Sequence, residues 1–179
     1  GYSDRLFRFD HFKDVLQRQN SLYSFAYLTE QIPDYLTRMK AVAESAYGPW
    51  DRLFLDSGVA AAIGSLDDPV VREKEELLLA NLGNMHTLAF LTQNGSVMAF
   101  MEHHTSFLDT EKLDGYLDRF TKGELSHQEV FDDIGHGVLY VDDAHLPPGP
   151  FASVTGPKRR MMRGSRMTPY FAAPFGSMM

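Results

Sequence analysis

Apolar and polar residues alternate with a helical period over most of the first 66 residues. Apolar positions recur on one helix face at 10–19, with Asp10 as the cap, and at 33–46, where Pro33 begins the helix and Gly48-Pro49 ends it. A short apolar run predicts a buried strand at 52–55. The turn 56–58 connects this strand to a small predicted helix at 59–65. This order of elements is typical of α/β proteins.

From residue 76 onward the period changes to that of β-strands. The dipeptide Asn94-Gly95 is a strong signal for a two-residue hairpin turn between two strands. The sequence therefore predicts three antiparallel strands in a row, at 77–81, 86–92 and 96–101. The elements predicted after them are a helix at 110–120, a helix at 126–133 with Ser126 and Glu129 in a capping box, a strand at 138–141, a loop at 147–150, a strand at 151–155, a helix at 157–163 and a strand at 170–173.

Length and composition limit the number of domains. The chain has 179 residues, 44% of them hydrophobic, which is enough for one substantial core or for two small cores that share an interface. A charged stretch at 66–75 is a soft boundary between the two halves. We therefore expect an α/β protein in which 1–66 form a helical or αβ segment and 75–179 form an α/β lobe.

Charge and cysteine content exclude several classes of function. The absence of cysteine excludes disulfides, thiolate zinc sites, cysteine nucleophiles and cysteine-ligated iron–sulfur clusters on this chain. A net charge of −7 argues against general binding to nucleic acid or to an anionic membrane. Without an apolar run of about 20 residues or a signal peptide, a cytoplasmic location is expected. The basic segment 158–166 is the local exception, either a solvated helix face or a surface that faces phosphate.

The turn at 81–87, between the first two predicted strands, is the first candidate site. Gly83 and Asn84 would let backbone N–H groups face a ligand that a bulky side chain would block, and Thr87 could add a hydroxyl. Such a turn predicts binding of an anion. An ordinary tight turn uses the same residues, because glycine and asparagine tolerate left-handed backbone conformations.

The sequence Glu102-His103-His104 at the end of the third predicted strand is the second candidate. Alternation along a strand places His103 on one face and both Glu102 and His104 on the other. Glu102 or His104 could act as a general base, and a divalent metal is a second interpretation. The alternative is a histidine whose ring is simply satisfied by a neighbouring carboxylate. His86 could join either arrangement, and His136, between two glycines, is expected in a loop.

Two strand-to-helix junctions complete the set of candidates. Asp56 could cap the following helix or hold a magnesium-bound water, so it joins Glu102 and His103 as a candidate metal ligand. Thr155 and Gly156 precede a predicted helix whose first turn holds Arg159, and exposed N–H groups there could bind an anion. The same residues are also compatible with an ordinary start of a helix.

The order of the predicted strands and helices resembles a ribonuclease-H-like lobe. Proteins of this kind form the superfamily of acetate and sugar kinases, actin and the heat-shock chaperones. The resemblance implies that Gly83, Asn84 and Thr87 form the phosphate hairpin, that Thr155 and Gly156 meet the nucleotide, and that ATP with magnesium is the ligand. Asn81 stands where the hairpin of that superfamily usually has aspartate, so the direct magnesium role is in doubt.

The chain more closely resembles an uncharacterised family labelled as a pyruvate formate-lyase activating enzyme. The matching stretches are 5–9, 37–39, 56–61, 81–87, 102–105, 154–157 and 171–174. Members usually carry a further N-terminal lobe, so the resemblance implies that this chain is a C-terminal portion. A radical activase needs three closely spaced cysteines for its iron–sulfur cluster, which these residues lack, although the N-terminal portion could hold them.

Two hypotheses of function follow from these residues and this resemblance. The first is a protein that binds a nucleotide or a small phosphorylated ligand, with phosphotransfer or hydrolysis in the complete protein. Arg159 or Arg160 would then face the charge of the transition state. The second is a non-catalytic binding or assembly module that keeps the fold without the reaction. The sequence does not identify a substrate or an oligomeric state.

Overall fold

A mixed six-stranded sheet forms the centre of the described chain, which in this computed structural model comprises residues 4–48, 50–142 and 145–172. The strands are β1 (Tyr27–Leu28), β2 (Leu53–Phe54), β3 (Glu76–Leu82), β4 (His86–Gln93), β5 (Ser96–His104), β6 (Gly137–Tyr140), β7 (Phe151–Thr155) and β8 (Tyr170–Phe171). The α-helices are α1 (Asp4–Arg18), α2 (Thr37–Ser45), α3 (Ser57–Ser65), α4 (Pro69–Arg72), α5 (Thr110–Thr121) and α6 (His127–Asp132). Short 3-10 helices lie at Leu22–Phe25, Thr29–Gln31, Thr105–Phe107 and Arg159–Met162.

The main sheet is mostly antiparallel, in the order β6-β5-β4-β3-β7-β8. The pairs β3-β4, β4-β5 and β5-β6 are antiparallel. Strand β7 runs parallel to β3, and β8 runs parallel to β7. The first two strands of the chain form a separate pair of two residues each. The predicted α/β class and the three-strand meander are therefore confirmed.

Each face of the sheet is covered by a separate part of the chain. On one face, α1 and the first 3-10 helix bring Phe12 and Phe25 against Phe90 and Phe100, and the Phe12 and Phe100 rings stack with centroids 4.6 Å apart. On the other face, buried side chains of α5 such as Phe120 pack against the sheet. The predicted division at 66–75 stays a prediction, since these contacts do not test whether either part folds alone.

Several predicted boundaries in the first half are wrong. Helix α1 begins at Asp4, so Asp10 lies inside the helix and does not cap it, because the apolar face extends back to Phe9, which is buried. Helix α2 begins at Thr37 and fully buries only Ala43, whereas Tyr35 and Val42 of the predicted buried stripe are exposed. It ends at Ser45, and Pro49 lies outside the described residues. The buried strand predicted at 52–55 is only the two-residue β2, in which Leu53 is exposed and Phe54 is partly buried.

In the second half the elements agree more closely with the sequence. The hydroxyl of Ser126 caps α6 as predicted, but the carboxylate of Glu129 pairs with Arg119 at 2.6 Å. The helix predicted at 157–163 is wrong, because only the 3-10 helix Arg159–Met162 forms there. The strand predicted at 170–173 is β8, and residue 173 lies outside the described residues. In the described chain, every helix is too short or too polar to cross a membrane.

Candidate functional site

Arg8 of α1 joins two acidic groups, Glu102 of β5 and Asp56 before α3. Its Nε donates to Oε1 of Glu102 at 2.7 Å, and its Nη1 lies 3.0 Å from Oδ2 of Asp56. Asp56 also caps α3, where its Oδ1 accepts a hydrogen bond from the N–H of Gly58 at 2.8 Å. The guanidinium lies over the Phe12 ring at 5.2 Å. A single arginine thus connects α1, the start of α3 and strand β5.

Burial and charge act in opposite directions on this trio. Burial raises the pKa of Glu102 to about 7, and the guanidinium of Arg8 offsets only part of that effect. Burial also opposes the charges of Arg8 and Asp56, but here the opposite charges win, and the pKa of Arg8 is raised while that of Asp56 is lowered. Glu102 is fully buried and ion-paired, so a substrate has no direct access to the carboxylate that was a candidate base and metal ligand.

Three imidazoles meet beside this trio, at the end of the sheet where β4 begins and β5 ends. His86 pairs with His104 across the two strands, and His136 approaches both from the loop before β6. The ring centroids are 4.8 Å apart for His86 and His104, 5.0 Å for His86 and His136, and 4.9 Å for His104 and His136. One nitrogen from each ring can be chosen so that all three lie within 4.8 Å of one another. These residues could hold a metal ion.

The three rings are kept neutral at physiological pH. Burial, together with the charge of Arg8, lowers the pKa of His86 to about 4. Burial and the two neighbouring imidazoles lower the pKa of His136 to about 3. Burial also lowers the pKa of His104. His136 was expected in a loop and was not a candidate, and its position between Gly135 and Gly137 was the only sequence signal for a close approach.

His103 lies on the opposite face of the sheet, as strand alternation predicts. Its Nε2 lies 2.9 Å from Oδ2 of Asp133, and Nδ1 lies 3.0 Å from the carbonyl of His104. Asp133 also accepts hydrogen bonds from Lys112 and from the hydroxyl of Tyr116. The three metal-ligand candidates are therefore not brought together, because Asp56 and Glu102 share Arg8 while the sheet separates them from His103.

The turn at Gly83 borders a cavity of about 440 Å³. The N–H of Gly83 donates to the carbonyl of His86 at 3.0 Å, and a Cβ at this position would lie 2.7 Å from that same oxygen. The hairpin itself therefore requires glycine here, whether or not a ligand approaches. The residues that line the cavity are Arg8, Arg38, Asp56, Ser57, Gly58, Asn81, Gly83, Asn84, Met85, His86, Leu88 and Pro157.

Four other predicted contact residues make contacts inside the fold. The hydroxyl of Thr87 lies 3.0 Å from that of Thr105, and the hydroxyl of Thr155 donates to Oδ1 of Asn81 at 3.2 Å. Gly156 packs against the backbone of β3. Arg159 donates to the carbonyl of Gly156 at 2.9 Å. The close approach predicted at this second turn is therefore to the sheet.

A second cavity, also about 440 Å³, adjoins the first and is mainly aromatic. Arg8, Arg38 and Asp56 line both cavities. The side chain of Arg38 is exposed, and within the described chain it forms no hydrogen bond or ion pair. The other residues of this aromatic cavity are Phe7, His11, Phe12, Phe25, Tyr27, Tyr35, Leu36, Thr37 and Met39.

Comparison with known families gives one match, and it covers most of the chain. Residues 1–161 match the model of the family described as "Putative pyruvate format-lyase activating enzyme (DUF1786)". The chain belongs to this family. Neither the curated proteins nor the solved structures contain a match to the chain. The match confirms the family resemblance, and the resemblance to the kinase and actin superfamily stays a prediction.

The iron–sulfur cluster that the family description implies does not fit these residues. Such a cluster is held by cysteine thiolates, and the sequence has no cysteine. The buried polar groups of this site are imidazoles, carboxylates and a guanidinium, which are not the ligands of a radical activase cluster.

The low pKa values of His86 and His136 predict a loss of stability in acid. An unfolded histidine has a pKa near 6.5. Between about pH 6.5 and 4 the unfolded chain therefore binds more protons at these two positions than the folded chain does. The free energy of unfolding decreases as the pH decreases through this range. Glu102 acts in the opposite direction: its pKa is raised to about 7 in the folded chain, so on acidification the folded chain takes up a proton there at a higher pH than the unfolded chain does. Two imidazoles outweigh one carboxyl, so the net effect is destabilising.

Denaturant titrations at pH 7, 6 and 5, with a chelator present throughout, measure this dependence. His136→Asn should reduce the slope of stability against pH, because it removes one of the groups that bind protons only after unfolding. A free energy of unfolding that stays constant or rises as the pH falls from 7 to 5 would contradict the prediction.

Proposed function

We propose that this chain binds a nucleotide or a similar aromatic phosphorylated ligand in the two joined cavities. The observation that carries the proposal is the position of Arg38, an exposed guanidinium that pairs with none of the described residues, at the boundary between an aromatic cavity and a polar one. An aromatic base fits the first environment, and phosphate oxygens fit the second. Because Arg8, Arg38 and Asp56 line both cavities, one ligand can place its base in the first cavity and its phosphates in the second.

The polar cavity offers three kinds of group that favour an anion. Arg38 pairs with none of the described residues, so its guanidinium is available to bind phosphate. Arg8, the other arginine of the cavity, is already paired with Glu102 and Asp56. The first turn of α3, at Ser57 and Gly58, opens onto the cavity, and the N-terminus of a helix attracts negative charge. The turn at Gly83 and Asn84 forms the facing wall. Asp56 opposes an anion here, but its charge is paired with Arg8.

The order of strands supports the kinase-like part of the proposal. In the ribonuclease-H-like arrangement that the sequence resembles, a three-strand meander is followed by parallel strands next to its first strand. Here β7 lies parallel to β3, the first strand of the meander, and β8 lies parallel to β7. Pro157, directly after the turn at Gly156, lines the same cavity as Gly83. The two turns named from the sequence thus border one cavity in the proposed site.

Calorimetric titration of the chain with ATP, adenosine and inorganic triphosphate tests the proposal. Arg38→Gln should weaken the binding of ATP and of triphosphate by about tenfold or more, because a charge-assisted hydrogen bond contributes about 1.5–3 kcal/mol. Tyr35→Leu should weaken ATP and adenosine but leave triphosphate unchanged. Release of phosphate from ATP in the same samples tests for hydrolysis.

Arg18→Gln is the matched control, because Arg18 is an exposed arginine of α1 that lines neither cavity. It should bind ATP like the unmodified protein. A Gly83→Val variant is less informative, since the added Cβ would disturb the hairpin at the carbonyl of His86. Equal binding by the Arg38 and Arg18 variants, or no heat with any of the three ligands, would overturn the proposal.

A further inference from the structure

The imidazole cluster of His86, His104 and His136 has the geometry of a set of metal ligands. The three rings come from β4, from β5 and from the loop before β6, and their centroids form a nearly equilateral triangle with sides of 4.8–5.0 Å. The backbone of Met85 approaches the ring of His104, and the backbone of Arg5 approaches the ring of His136. Each ring has two nitrogens, so one nitrogen of each of the three rings remains available to a shared ligand.

His136 and Glu102 provide the second observation. His136 is 3% exposed, and in the described chain neither of its ring nitrogens has a hydrogen bond of good geometry, although the backbone of Arg5 lies near the ring. Oε2 of the fully buried Glu102 also has no hydrogen-bond partner, and it lies 3.6 Å from Nδ1 of His136. A buried polar group without a partner is strongly unfavourable, so such groups in a folded protein call for a ligand or another partner.

We propose that His86, His104 and His136 together bind one divalent transition-metal ion, with Glu102 accepting a hydrogen bond from the ring of His136. In this arrangement Nδ1–H of His136 faces Oε2 of Glu102, and the other nitrogen of the ring faces the metal. A carboxylate behind a ligating histidine is a common feature of metal sites, because it fixes the orientation of the ring and makes its nitrogen more basic. Each unpartnered atom thereby gains a partner.

The chemistry of the donors favours zinc or a similar ion. Three imidazoles suit zinc, cobalt, nickel and copper, whereas magnesium and calcium prefer oxygen ligands. Metal ligation needs neutral imidazoles, and burial already holds these rings neutral, as the lowered pKa values of His86 and His136 show. Three protein ligands leave a fourth position open for water or for a ligand, as in catalytic zinc sites. His86 also lines the polar cavity, so that position would be next to it.

The distances and charges are compatible with an ion. Nitrogens about 2.0–2.1 Å from a tetrahedral zinc ion lie about 3.3 Å apart, so the rings must close in from their widest separation of 4.8 Å. Rotation of the half-exposed rings of His86 and His104 can supply that movement, since His136 is the only fully buried member. The positive charge of Arg8 is balanced by Glu102 and Asp56.

Titration of chelator-treated protein with Zn²⁺ and Co²⁺ tests the inference. One ion should bind per chain, and the visible absorption of bound Co²⁺ should be that of a four- or five-coordinate ion, not of the hydrated ion. His104→Gln should abolish this binding and leave the fold intact, because His104 is only partly buried; circular dichroism checks that point. Glu102→Gln should weaken affinity about 10–100-fold. His145→Gln, at an exposed histidine, is the matched control.

Nitrogen-15 spectra of the imidazoles identify the ligands without any substitution. Zinc should shift the ring nitrogens of His86, His104 and His136 and leave the other four histidines unchanged. The inference would be overturned by the absence of stoichiometric binding, by equal binding in the His104 and His145 variants, or by zinc shifts on other histidines. It does not depend on nucleotide binding, so the two proposals can fail separately.

Discussion

Replacing Arg8 with methionine is expected to lower the free energy of unfolding by about 3–5 kcal/mol, the usual effect of removing one partner of a buried ion pair. Glu102 is fully buried, and its hydrogen bond to Nε of Arg8 at 2.7 Å is the one that balances its charge most directly. Without the guanidinium, the carboxylate must either stay charged in a low-dielectric environment or take up a proton. Asp56 would lose the same partner but keep its hydrogen bond to Gly58.

The size of this loss should depend on pH with a defined sign. Burial raises the pKa of Glu102 to about 7 with Arg8 present, and the variant should raise it further. A carboxyl whose pKa is raised by folding reduces stability as the pH rises from its unfolded pKa to its folded pKa. As the pH rises above about 7, ionisation of Glu102 no longer reduces the stability of the unmodified protein. In the Arg8 variant, whose Glu102 has a higher pKa, ionisation continues to reduce stability above pH 7. The difference between them should therefore be larger at pH 9 than at pH 6.

Denaturant titrations of three variants at both pH values provide the measurement. Arg72→Met is the matched control, because Arg72 pairs with Asp67 at 3.4 Å on the surface, where both side chains are about two-thirds exposed, and such pairs contribute little. Adding Glu102→Met to the Arg8 variant should recover part of the loss, since no uncompensated buried charge remains. If the Arg8 and Arg72 variants lose similar amounts, the pair is not the structural centre of this site.

The meander was predictable because its signals are local. Asn94-Gly95 fixes one hairpin, and the strands on both sides carry an unmistakable run of apolar residues that the sheet buries on both faces. Helix α1 was predicted to begin six residues too late because Asp10 is a good capping residue. In the structure, Phe9 packs against Phe100, and that contact between distant parts of the chain extends the helix. Tertiary packing there overrides the local signal for a cap.

The candidate site was predictable only as far as strand alternation reaches. Alternation placed Glu102 and His103 on opposite faces, which the structure confirms. Arg8 and His136 were missed because they meet Glu102 from positions 94 residues earlier in the chain and from a loop after α6. Arg8 lies in the matching stretch 5–9, which assigns it no role, and His136 is marked only by its two flanking glycines. Only the folded sheet brings them together, so no pattern along the chain identifies them.

The turn at Gly156 was correctly identified as a close approach, but the approaching group was not. Its φ is +93°, and a Cβ there would lie 2.4 Å from the carbonyl oxygen of Leu82 and 2.8 Å from Oδ1 of Asn81. The N–H of Lys158 donates to the same carbonyl at 2.9 Å. The chain therefore crosses directly over the end of β3 as it leaves β7. Sequence alone cannot distinguish a glycine that makes room for a ligand from one that makes room for the backbone.

Gly156→Ala is therefore expected to destabilise the chain by more than about 4 kcal/mol, or to prevent folding, because strain and overlap add at one position. Gly95→Ala separates the two effects: its φ is +81° but nothing lies within 4 Å, so only the strain of about 1–2 kcal/mol applies. Gly115→Ala, inside α5 with open space around it, should stabilise by about 0.5–1 kcal/mol. Thermal melts of the three variants measure this order. If Gly156→Ala loses no more stability than Gly95→Ala, the backbone does not pass so close to Leu82, and the turn has room for a ligand.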